Sequence, residues 1–326
     1  MREIIIQSNE SGQRLDKFLS KYLKEAPKSF LYKMLRKKNI TLNGKKAEGR
    51  EILQETDVIR LFLAEETIDK FSSHQIDRGS GKLQIIYEDE HILLVNKPAG
   101  MLSQKAQETD VSLVEHITGY LLDSGSLTEE KLRSFRPSVC NRLDRNTSGL
   151  VAAGKTLAGL QLLSQLFRER TIEKYYLCLV SGVITGSSHL KGYLKKDEKS
   201  NKVEIRPHAF AGAALIETAY QPVIHNERVT LLKIELLTGK PHQIRSHLAS
   251  IGHPVVGDTK YGSSTVNKVF HEKYKLHYQL LHAWELVMPE FTGEFSSLSH
   301  KCFRAPLPEV FIRVLQGEGI EERIYE

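Results

Sequence analysis

The sequence predicts an α+β protein made of a small N-terminal unit and a larger second domain. Segments with the apolar and β-branched content of strands outnumber segments with helical spacing, and the two kinds do not alternate regularly, as they would in a doubly wound fold. A polar stretch containing Gly-Ser at 64–82 separates the two parts and has the composition of a linker. We therefore expect domains at 1–63 and 83–315, joined by this linker.

The N-terminal unit contains two predicted helices and a small sheet. Within 12–24, apolar residues recur at spacings of three, four and seven, which predicts an amphipathic helix with a buried face. A second helix is predicted at 28–38, with Lys33, Arg36 and Lys37 displaced from its apolar side. The stretch "ITLNGKKAEG" predicts two strands around an Asn-Gly turn, whose residues adopt positive φ at low cost, and "DVIRLFL" predicts a further strand.

The larger domain is rich in predicted strands. "LQIIYEDEHILLVNKPAG" predicts two strands around a polar turn, and "SGLVAAGK", "KYYLCLVSG" and "VTLLKIELLTG" predict others. "TLAGLQLLSQLFRER" has the apolar spacing of a helix. The charged sequence at 316–326 predicts a loose C-terminal tail.

The positive charge is concentrated in the N-terminal unit. The chain has 326 residues and a formal net charge of +6. Residues 1–63 hold 14 Lys and Arg against 8 Asp and Glu, a balance of +6, so the rest of the chain is neutral overall. A basic patch of this kind indicates either a polyanionic partner or a solubilising surface, and charge alone leaves both interpretations open.

The cysteines and the hydropathy pattern exclude several classes of protein. Cys140, Cys178 and Cys302 are odd in number, far apart and without CxxC spacing, which argues against a disulfide framework and fits a reducing cytoplasm. No stretch reaches the ~18 apolar residues of a membrane helix. We expect a cytoplasmic monomer with no membrane partner.

No metal or cofactor motif is present in the sequence. Three histidines, His242, His247 and His253, lie close together in the chain, but there is no HExxH and no acidic partner at ligand spacing. The sequence also lacks a Walker loop, a dinucleotide fingerprint and a GxSxG turn. We therefore expect neither a metal nor a cofactor.

The stretch "NRLDRNTSGL" places Asp144 on a loop immediately before a buried strand. The tripeptide Arg-Leu-Asp also occurs at 14–16, where a helix continues, so the tripeptide alone carries no information. Asp favours turns because its carboxylate accepts backbone N–H bonds, and loops held by rigid elements also carry functional groups. Asp144 is therefore either a turn residue or a functional carboxylate.

Two further stretches contain candidate residues. In "LLTGKPHQIRSHLASIGHPVVGDTKYG", Pro241 can open a helix, and Arg245 lies outside that helix's apolar side. Arg245 is either a surface arginine or a bidentate partner that keeps a carboxylate ionised. In "EKYYLCLVSG", Tyr175 and Tyr176 are adjacent in a strand and point to opposite faces, so one of them could stack on a nucleobase.

Taken in order, these pieces resemble the RluA-type family of RNA pseudouridine synthases. The resemblance runs from Leu83 to about Pro308 and rests on "NKPAGML", "NRLDRNTSGL", "KYYLCLV", "TGKPHQIRSHLASIGHPVVGD" and "LHAWEL". The segment "RLDKFLSKYLKEAPKSFLYKMLRKKNITLNG" is similar to the small RNA-binding domain named after ribosomal protein S-four. The resemblance implies a catalytic domain built on a mixed, mainly antiparallel sheet flanked by helices, behind an RNA-binding unit that carries Lys33, Arg36 and Lys37.

The resemblance also assigns roles by position. It makes Asp144 the catalytic carboxylate, Arg245 its ion-pair partner and Tyr176 the active-site tyrosine. Arg142 matches the residue that enters the RNA helix in place of the flipped nucleotide. The family commonly has His before Arg-Leu-Asp, whereas this chain has Asn141.

The function implied by the resemblance is the isomerisation of uridine to pseudouridine in RNA, most simply large-subunit ribosomal RNA. The reaction breaks the bond from ribose to base, turns the uracil and rejoins it through carbon, so no cofactor is consumed. Two other classes remain to be distinguished. One is a non-catalytic RNA-binding or ribosome-assembly factor with a degraded enzyme domain, and the other is an RNA N-glycosidase that releases the base.

Overall fold

The computed structural model describes residues 1–72, 78–79, 81–197 and 200–320 and has the predicted α+β architecture. A four-stranded antiparallel sheet lies near the N-terminus, and a larger mixed sheet forms the second part. Across the described ranges, no helix combines the length and the apolar content needed to cross a bilayer.

The N-terminal unit forms as the apolar spacing predicts. The stripe predicted within 12–24 is buried on the first helix, and residues Asn43 and Gly44 turn the hairpin with φ of 51° and 72°. A first strand, which the alternating "REII" did not reveal, pairs antiparallel with the last strand of the unit. Its elements are β1 (Arg2–Ile5), α1 (Leu15–Tyr22), α2 (Lys28–Arg36), β2 (Ile40–Leu42), β3 (Lys45–Lys46) and β4 (Val58–Leu61).

The first part of the expected linker is a helix. Helix α3 (Glu65–Ser72) buries Ile68 in the core of the N-terminal unit, so the boundary expected at residue 63 needs correction. The helix has few apolar residues, which gave it the composition of a linker. The linker positions 73–77 and 80 lie outside the described residues.

The N-terminal unit contacts the larger domain through a 3-10 turn at Ser8–Glu10. The carboxylate of Glu10 accepts a hydrogen bond of 2.6 Å from the hydroxyl of Ser134. The side-chain oxygen of Asn9 accepts a hydrogen bond from the backbone N–H of Leu157, at the start of a long helix of the larger domain. A polar linker had suggested few contacts across this boundary, whereas these bonds tie the two parts together.

The large sheet contains eleven strands in the described part of the chain. Neighbouring strands are antiparallel except β8 and β14, which are parallel. The strands are β5 (Gln84–Glu88), β6 (Ile92–Lys97), β7 (Ser138–Val139), β8 (Ser148–Gly154), β9 (Glu173–Ser181), β10 (Ser188–Asp197), β11 (Lys202–Arg206), β12 (Ala214–His225), β13 (Val229–Leu236), β14 (Leu281–Val287) and β15 (Cys302–Arg304). Their main order is β11-β10-β12-β13-β9-β14-β8-β6-β5, with β15 beside β14 and β7 beside β8.

Helices cover both faces of the large sheet. They are α4 (Leu113–Asp123), α5 (Lys131–Ser134), α6 (Leu157–Glu169), α7 (Gln243–Ser250), α8 (Ser264–Tyr274) and α9 (Glu309–Gly317). Side chains of α4 and α7 share one core with Tyr176 and Cys178 of β9. Leu177 and Leu179 of β9 pack with α8 and α9 in a core on the opposite face, which Tyr175 also contacts. The prediction that Tyr175 and Tyr176 point to opposite faces is confirmed.

The C-terminal segment is better packed than the charge pattern suggested. Ile320 is buried, and the buried carboxylate of Glu318 accepts a 2.6 Å hydrogen bond from the hydroxyl of Tyr274. Glu318 also forms a 2.8 Å ion pair with Arg228. These contacts place residues 316–320 with the larger domain rather than in the expected loose tail, and residues 321–326 lie outside the described residues.

Gly149 permits the close approach of the parallel strands β8 and β14. Its φ is 115°, and a Cβ atom there would lie 2.2 Å from the carbonyl oxygen of Ala283. We expect Gly149→Ala to lower the free energy of unfolding by about 3 kcal/mol, because backbone strain adds to overpacking. Denaturant unfolding measures this loss. Gly186→Ala, where nothing lies within 4 Å, is the control and should be close to neutral.

Candidate active site

Asp144 lies on the loop between β7 and β8, with its carboxylate directed to another element. The backbone carbonyl of Asp144 accepts a 3.0 Å bond from the N–H of Thr147, which closes the turn. The carboxylate Oδ2 instead accepts a 2.7 Å hydrogen bond from Nη1 of Arg245 on α7. The side chain of Asp144 is 26% exposed, so it forms this ion pair and still faces solvent. Both sequence interpretations therefore describe part of this residue: its backbone makes the turn, and its carboxylate is available for chemistry.

Short polar side chains hold the loop before and after Asp144. The hydroxyl of Ser103 donates to the carbonyl of Leu143 and accepts from its N–H, both at 3.0 Å. The amide of Asn141 donates to the carbonyl of Leu150 at 3.1 Å and accepts from the N–H of Ala152 at 2.8 Å. The Asn found where the family commonly has His thus fastens the loop to strand β8.

Arg245 connects two carboxylates. Its Nε and Nη2 bind both oxygens of Asp258 at 2.7 and 2.8 Å, while Nη1 binds Asp144. Arg245 is only 6% exposed, since helix α7 is buried on more sides than its apolar spacing indicated, and the surface interpretation is wrong. Burial lowers the pKa of Arg245, but its bonds to Asp258 and Asp144 outweigh burial and raise it above the ordinary value.

Tyr176 forms part of the apolar wall beside the carboxylate. It is 7% exposed and lies in the same core as Ile244 of α7 and Leu281 of β14. Burial first, and then the negative charge of Asp144, raise the pKa of Tyr176 above the ordinary value of a phenol. Its hydroxyl is therefore protonated at neutral pH.

Lys97 is a fully buried lysine beneath the same loop. Its ammonium donates to the carbonyls of Pro98 and Met101 at 2.9 Å and of Arg145 at 3.1 Å. Burial lowers the pKa of Lys97 to about 7, against the opposing effect of the Asp144 charge. The lysine thus connects the loop after β6 to the residue that follows Asp144.

The loop of Asp144 borders a cleft of about 760 Å³ with a basic rim. Asp144, Tyr176, Arg142 and Arg245 all lie along it. Among its described lining residues, Asp144 is the one carboxylate. The other cationic lining residues are Lys105, Arg168, Arg170, Lys174 and Lys240. The positive charge of the lining favours a negatively charged ligand, such as a polyanion.

The basic residues of the N-terminal unit lie apart from this cleft. Lys33, Arg36 and Lys37 are exposed on or just after α2, and within the described ranges no ion pair involves them. They do not line the cleft. The structure therefore shows two separate basic surfaces, one on each part of the protein.

The three histidines noted in the sequence do not converge on one point. His242 pairs through Nδ1 with the hydroxyl of Tyr261, and His247 pairs with the hydroxyl of Thr218. His253 pairs with the backbone carbonyl of Ser181. Burial lowers the pKa of His247 to about 4, so that ring is neutral.

Sequence reasoning missed Asp258 and Lys97. Asp258 lies in the same quoted stretch as Arg245, 13 residues later, and is fully buried. A signal was available, because an arginine has five N–H donors and a buried one needs more than a single carboxylate. Lys97 gave no such signal, since its carbonyl partners belong to the backbone.

The sequence of the chain is similar to those of known proteins. The sequence pattern of the family described as RNA pseudouridylate synthase matches residues 91–250. A protein of Vibrio vulnificus named ribosomal large subunit pseudouridine synthase C is 32% identical over 323 residues, which cover 96% of this chain and 95% of that protein. The Escherichia coli protein of the same name is 30% identical over 327 residues, covering 96% and 95% of the two chains.

A solved structure shares the fold. The human RNA pseudouridylate synthase domain containing 4 superimposes with a TM-score of 0.57 at 19% sequence identity. The match covers 72% of this chain and 92% of the human chain. At this identity, the likeness speaks for the fold alone.

Proposed function

Because the chain belongs to the RluA-type family of RNA pseudouridine synthases and is therefore an isomerase, we propose that its substrate is a uridine of large-subunit ribosomal RNA. The names of the bacterial relatives support this substrate. The observation that carries the proposal is the buried chain Asp258–Arg245–Asp144, which ends at the one carboxylate among the described residues of a cation-lined cleft.

In the proposed mechanism, Asp144 acts on the ribose of a nucleotide held in the cleft. Its carboxylate either attacks the anomeric carbon or removes the neighbouring sugar proton, and both routes need the ionised form. Arg245 fixes the direction of the carboxylate through the 2.7 Å bond to Oδ2. The released uracil turns within the cleft and rejoins the ribose through carbon, so every atom of the substrate is kept.

Tyr176 and Arg142 complete the proposed site. The ring of Tyr176 offers an apolar surface for the uracil to stack on. The phenol of Tyr176 is protonated, so it can accept the last proton from carbon only if it passes its own proton to another group. Asp144 is the group whose charge affects the phenol. Arg142 is exposed at the cleft, where it can fill the space that the flipped nucleotide leaves in the RNA helix.

We further propose that residues 1–72 bind RNA through the basic surface of α2 and that the domain from residue 83 carries out catalysis. The protein would act in the cytoplasm as a monomer, without a metal or cofactor. The alternative of a non-catalytic RNA-binding factor is not favoured, since the chain retains Asp144, Tyr176 and Arg245 in one cleft.

The proposed function is tested by mapping pseudouridine in ribosomal RNA from cells with and without this protein. We expect specific pseudouridines to disappear when the protein is absent and to return on incubation with purified protein. Release of free uracil without pseudouridine would instead indicate an N-glycosidase. Pseudouridine appearing in transfer RNA alone would contradict the ribosomal substrate.

The basic surface of α2 should contribute salt-dependent affinity. In the full-length chain, Lys33→Gln, Arg36→Gln and Lys37→Gln together should weaken RNA binding and lower the slope of log affinity against log salt by about 2 to 3, because each lost phosphate contact removes ~0.7–0.9. The value of kcat should change little. Filter binding over a salt series measures both quantities.

A matched control removes three positive charges from elsewhere. Lys268 and Lys275 lie on or just after α8, and Arg313 lies on α9, and all three are exposed. Changing these three to Gln should leave the salt slope nearly intact. Equal slopes of log affinity against log salt for the two triple variants would indicate that the α2 surface only keeps the protein soluble.

A further inference from the structure

His242 has a backbone conformation that costs free energy. It immediately precedes helix α7 with φ of 55° and ψ of 14°, in the left-handed region. A residue with a Cβ atom in this region costs about 1 kcal/mol or more, and such residues cluster where a side chain must be aimed. The side chain of His242 is half-buried and lines the cleft beside Arg245.

Tyr261 fixes the ring of His242. The Nδ1 atom of His242 lies 2.9 Å from the Tyr261 hydroxyl, which also accepts a 3.0 Å hydrogen bond from the backbone N–H of Val203 on β11. The hydroxyl can donate its single proton to Nδ1 while it accepts the hydrogen bond from Val203. The imidazole is then the tautomer that carries its proton on Nε2.

The same tyrosine is anchored to the catalytic ion pair. Its backbone N–H donates to Asp258 at 3.1 Å, and its ring lies 5.3 Å from the guanidinium carbon of Arg245. Tyr261 contacts both residues and therefore fixes the position of His242 relative to Arg245. A shift of Arg245 would move the ring that positions His242.

The groups that face His242 leave it neutral. Burial lowers its pKa below the ordinary value, while the charge of Asp144 opposes this effect. Arg245 and Lys260 lower the pKa further, and Asp258 opposes them, so cations and carboxylates are balanced around the ring. A neutral ring with Nδ1 occupied has one N–H donor left, at Nε2.

We propose that His242 is a substrate-contacting residue whose Nε2–H donates a hydrogen bond to an uncharged oxygen of the nucleotide in the cleft, either a uracil carbonyl or a ribose hydroxyl. This inference rests on the proposed function. A neutral donor suits an uncharged acceptor, whereas the arginines and lysines at the rim suit phosphates. The hydrogen bond orients the nucleotide against Asp144, and no proton is transferred.

The first test compares two substitutions at this position in the full-length protein. His242→Ala should lower kcat/KM for pseudouridine formation about 10- to 100-fold, because the oxygen loses its donor in a desolvated site. His242→Gln should recover part of the loss, since its amide keeps an N–H donor. The control His253→Ala changes a histidine outside the cleft and should keep wild-type kinetics.

The second test identifies the oxygen. RNA with 2-thiouridine, 4-thiouridine or 2′-deoxyuridine at the target position removes or weakens one acceptor at a time. One of these changes should slow the wild type by about tenfold and have no added effect in His242→Ala, because the contact is then already lost. A thio-uridine identifies a uracil carbonyl, and deoxyuridine identifies the ribose hydroxyl.

The outcomes separate this inference from the proposed function. If the wild type makes no pseudouridine, the proposed function fails. If the wild type is active and His242→Ala has the same kcat/KM, the proposed contact is overturned. The contact is also overturned if the loss of kcat/KM in His242→Ala is independent of all three substrate changes. The last case is expected of a histidine that only stabilises helix α7.

Discussion

Replacing Asp144 by Asn is expected to abolish pseudouridine formation, with kcat falling at least about 10⁴-fold, as for other residues that react directly with substrate. The amide keeps the shape of the side chain and can still accept a hydrogen bond from Arg245, but it has neither the charge nor the nucleophilicity of the carboxylate. RNA affinity should stay within about threefold of the wild type, because the basic rim and the α2 surface are unchanged.

The chain offers a matched control for this substitution. Asp16 belongs to the other Arg-Leu-Asp tripeptide, where it accepts hydrogen bonds from Arg14 and Tyr32 outside the cleft. Asp16→Asn should leave kcat at the wild-type value. Pseudouridine formation and filter binding on the same RNA give both readouts, and appreciable turnover by Asp144→Asn would remove Asp144 from the proposed role.

Arg245→Lys is expected to lower kcat by about 10²- to 10³-fold, because an ammonium cannot reproduce the fork that binds two carboxylates at once. The lysine ammonium would contact either Asp258 or Asp144, and the other carboxylate would lose its fixed direction. The rate of pseudouridine formation at saturating RNA measures this loss. Arg313→Lys, at an exposed position of α9, is the control.

The free energy of unfolding should depend on the ion pair between Arg245 and Asp258. Arg245→Ala leaves the fully buried Asp258 without its cation, which should cost about 3–5 kcal/mol of unfolding free energy. Arg245→Lys should cost less, so it is the better variant for kinetics. An Arg245→Ala protein of wild-type stability would show that the ion pair to Asp258 contributes nothing to the fold.

This stability loss depends on pH in a defined direction. Burial raises the pKa of Asp258, but the bond from Arg245 outweighs burial and holds the pKa below the ordinary value. The wild type therefore gains stability from Asp258 above about pH 4, the unfolded pKa, and loses it as the pH falls towards the folded value. The difference between wild type and Arg245→Ala should shrink below that pH.

The sequence predicted those features whose causes are local. Spacing within single segments predicted α1, α2 and α6, and the Asn43-Gly44 turn follows from the conformational preferences of its two residues. Strands β10 and β11 were missed because charged and polar residues outnumber the apolar ones in both segments, and Gly192 interrupts the apolar side of β10. Their pairing depends on distant neighbours that no single segment reveals.

The same distinction between local and distant causes applies to the candidate site. Asp144 and Arg245 lie 101 residues apart, and only the family resemblance predicted that they pair. Asp258 and Tyr261 follow Arg245 closely in sequence, but their roles depend on the loop that returns them to α7. The resemblance supplied the residues that are proposed to react, whereas the structure was needed to see the residues that hold them.

Helix α6 extends over a fixed length from the N-terminal unit to the cleft. Asn9 of the N-terminal unit contacts its first residue, and Phe167 and Arg168 near its other end line the cleft. At ~1.5 Å per residue, its 13 residues span about 20 Å. If the N-terminal unit binds RNA as proposed, this helix would help to set the distance between the bound part of the RNA and the modified uridine. Lengthening the RNA between these two points would then move the modified position rather than slow the reaction.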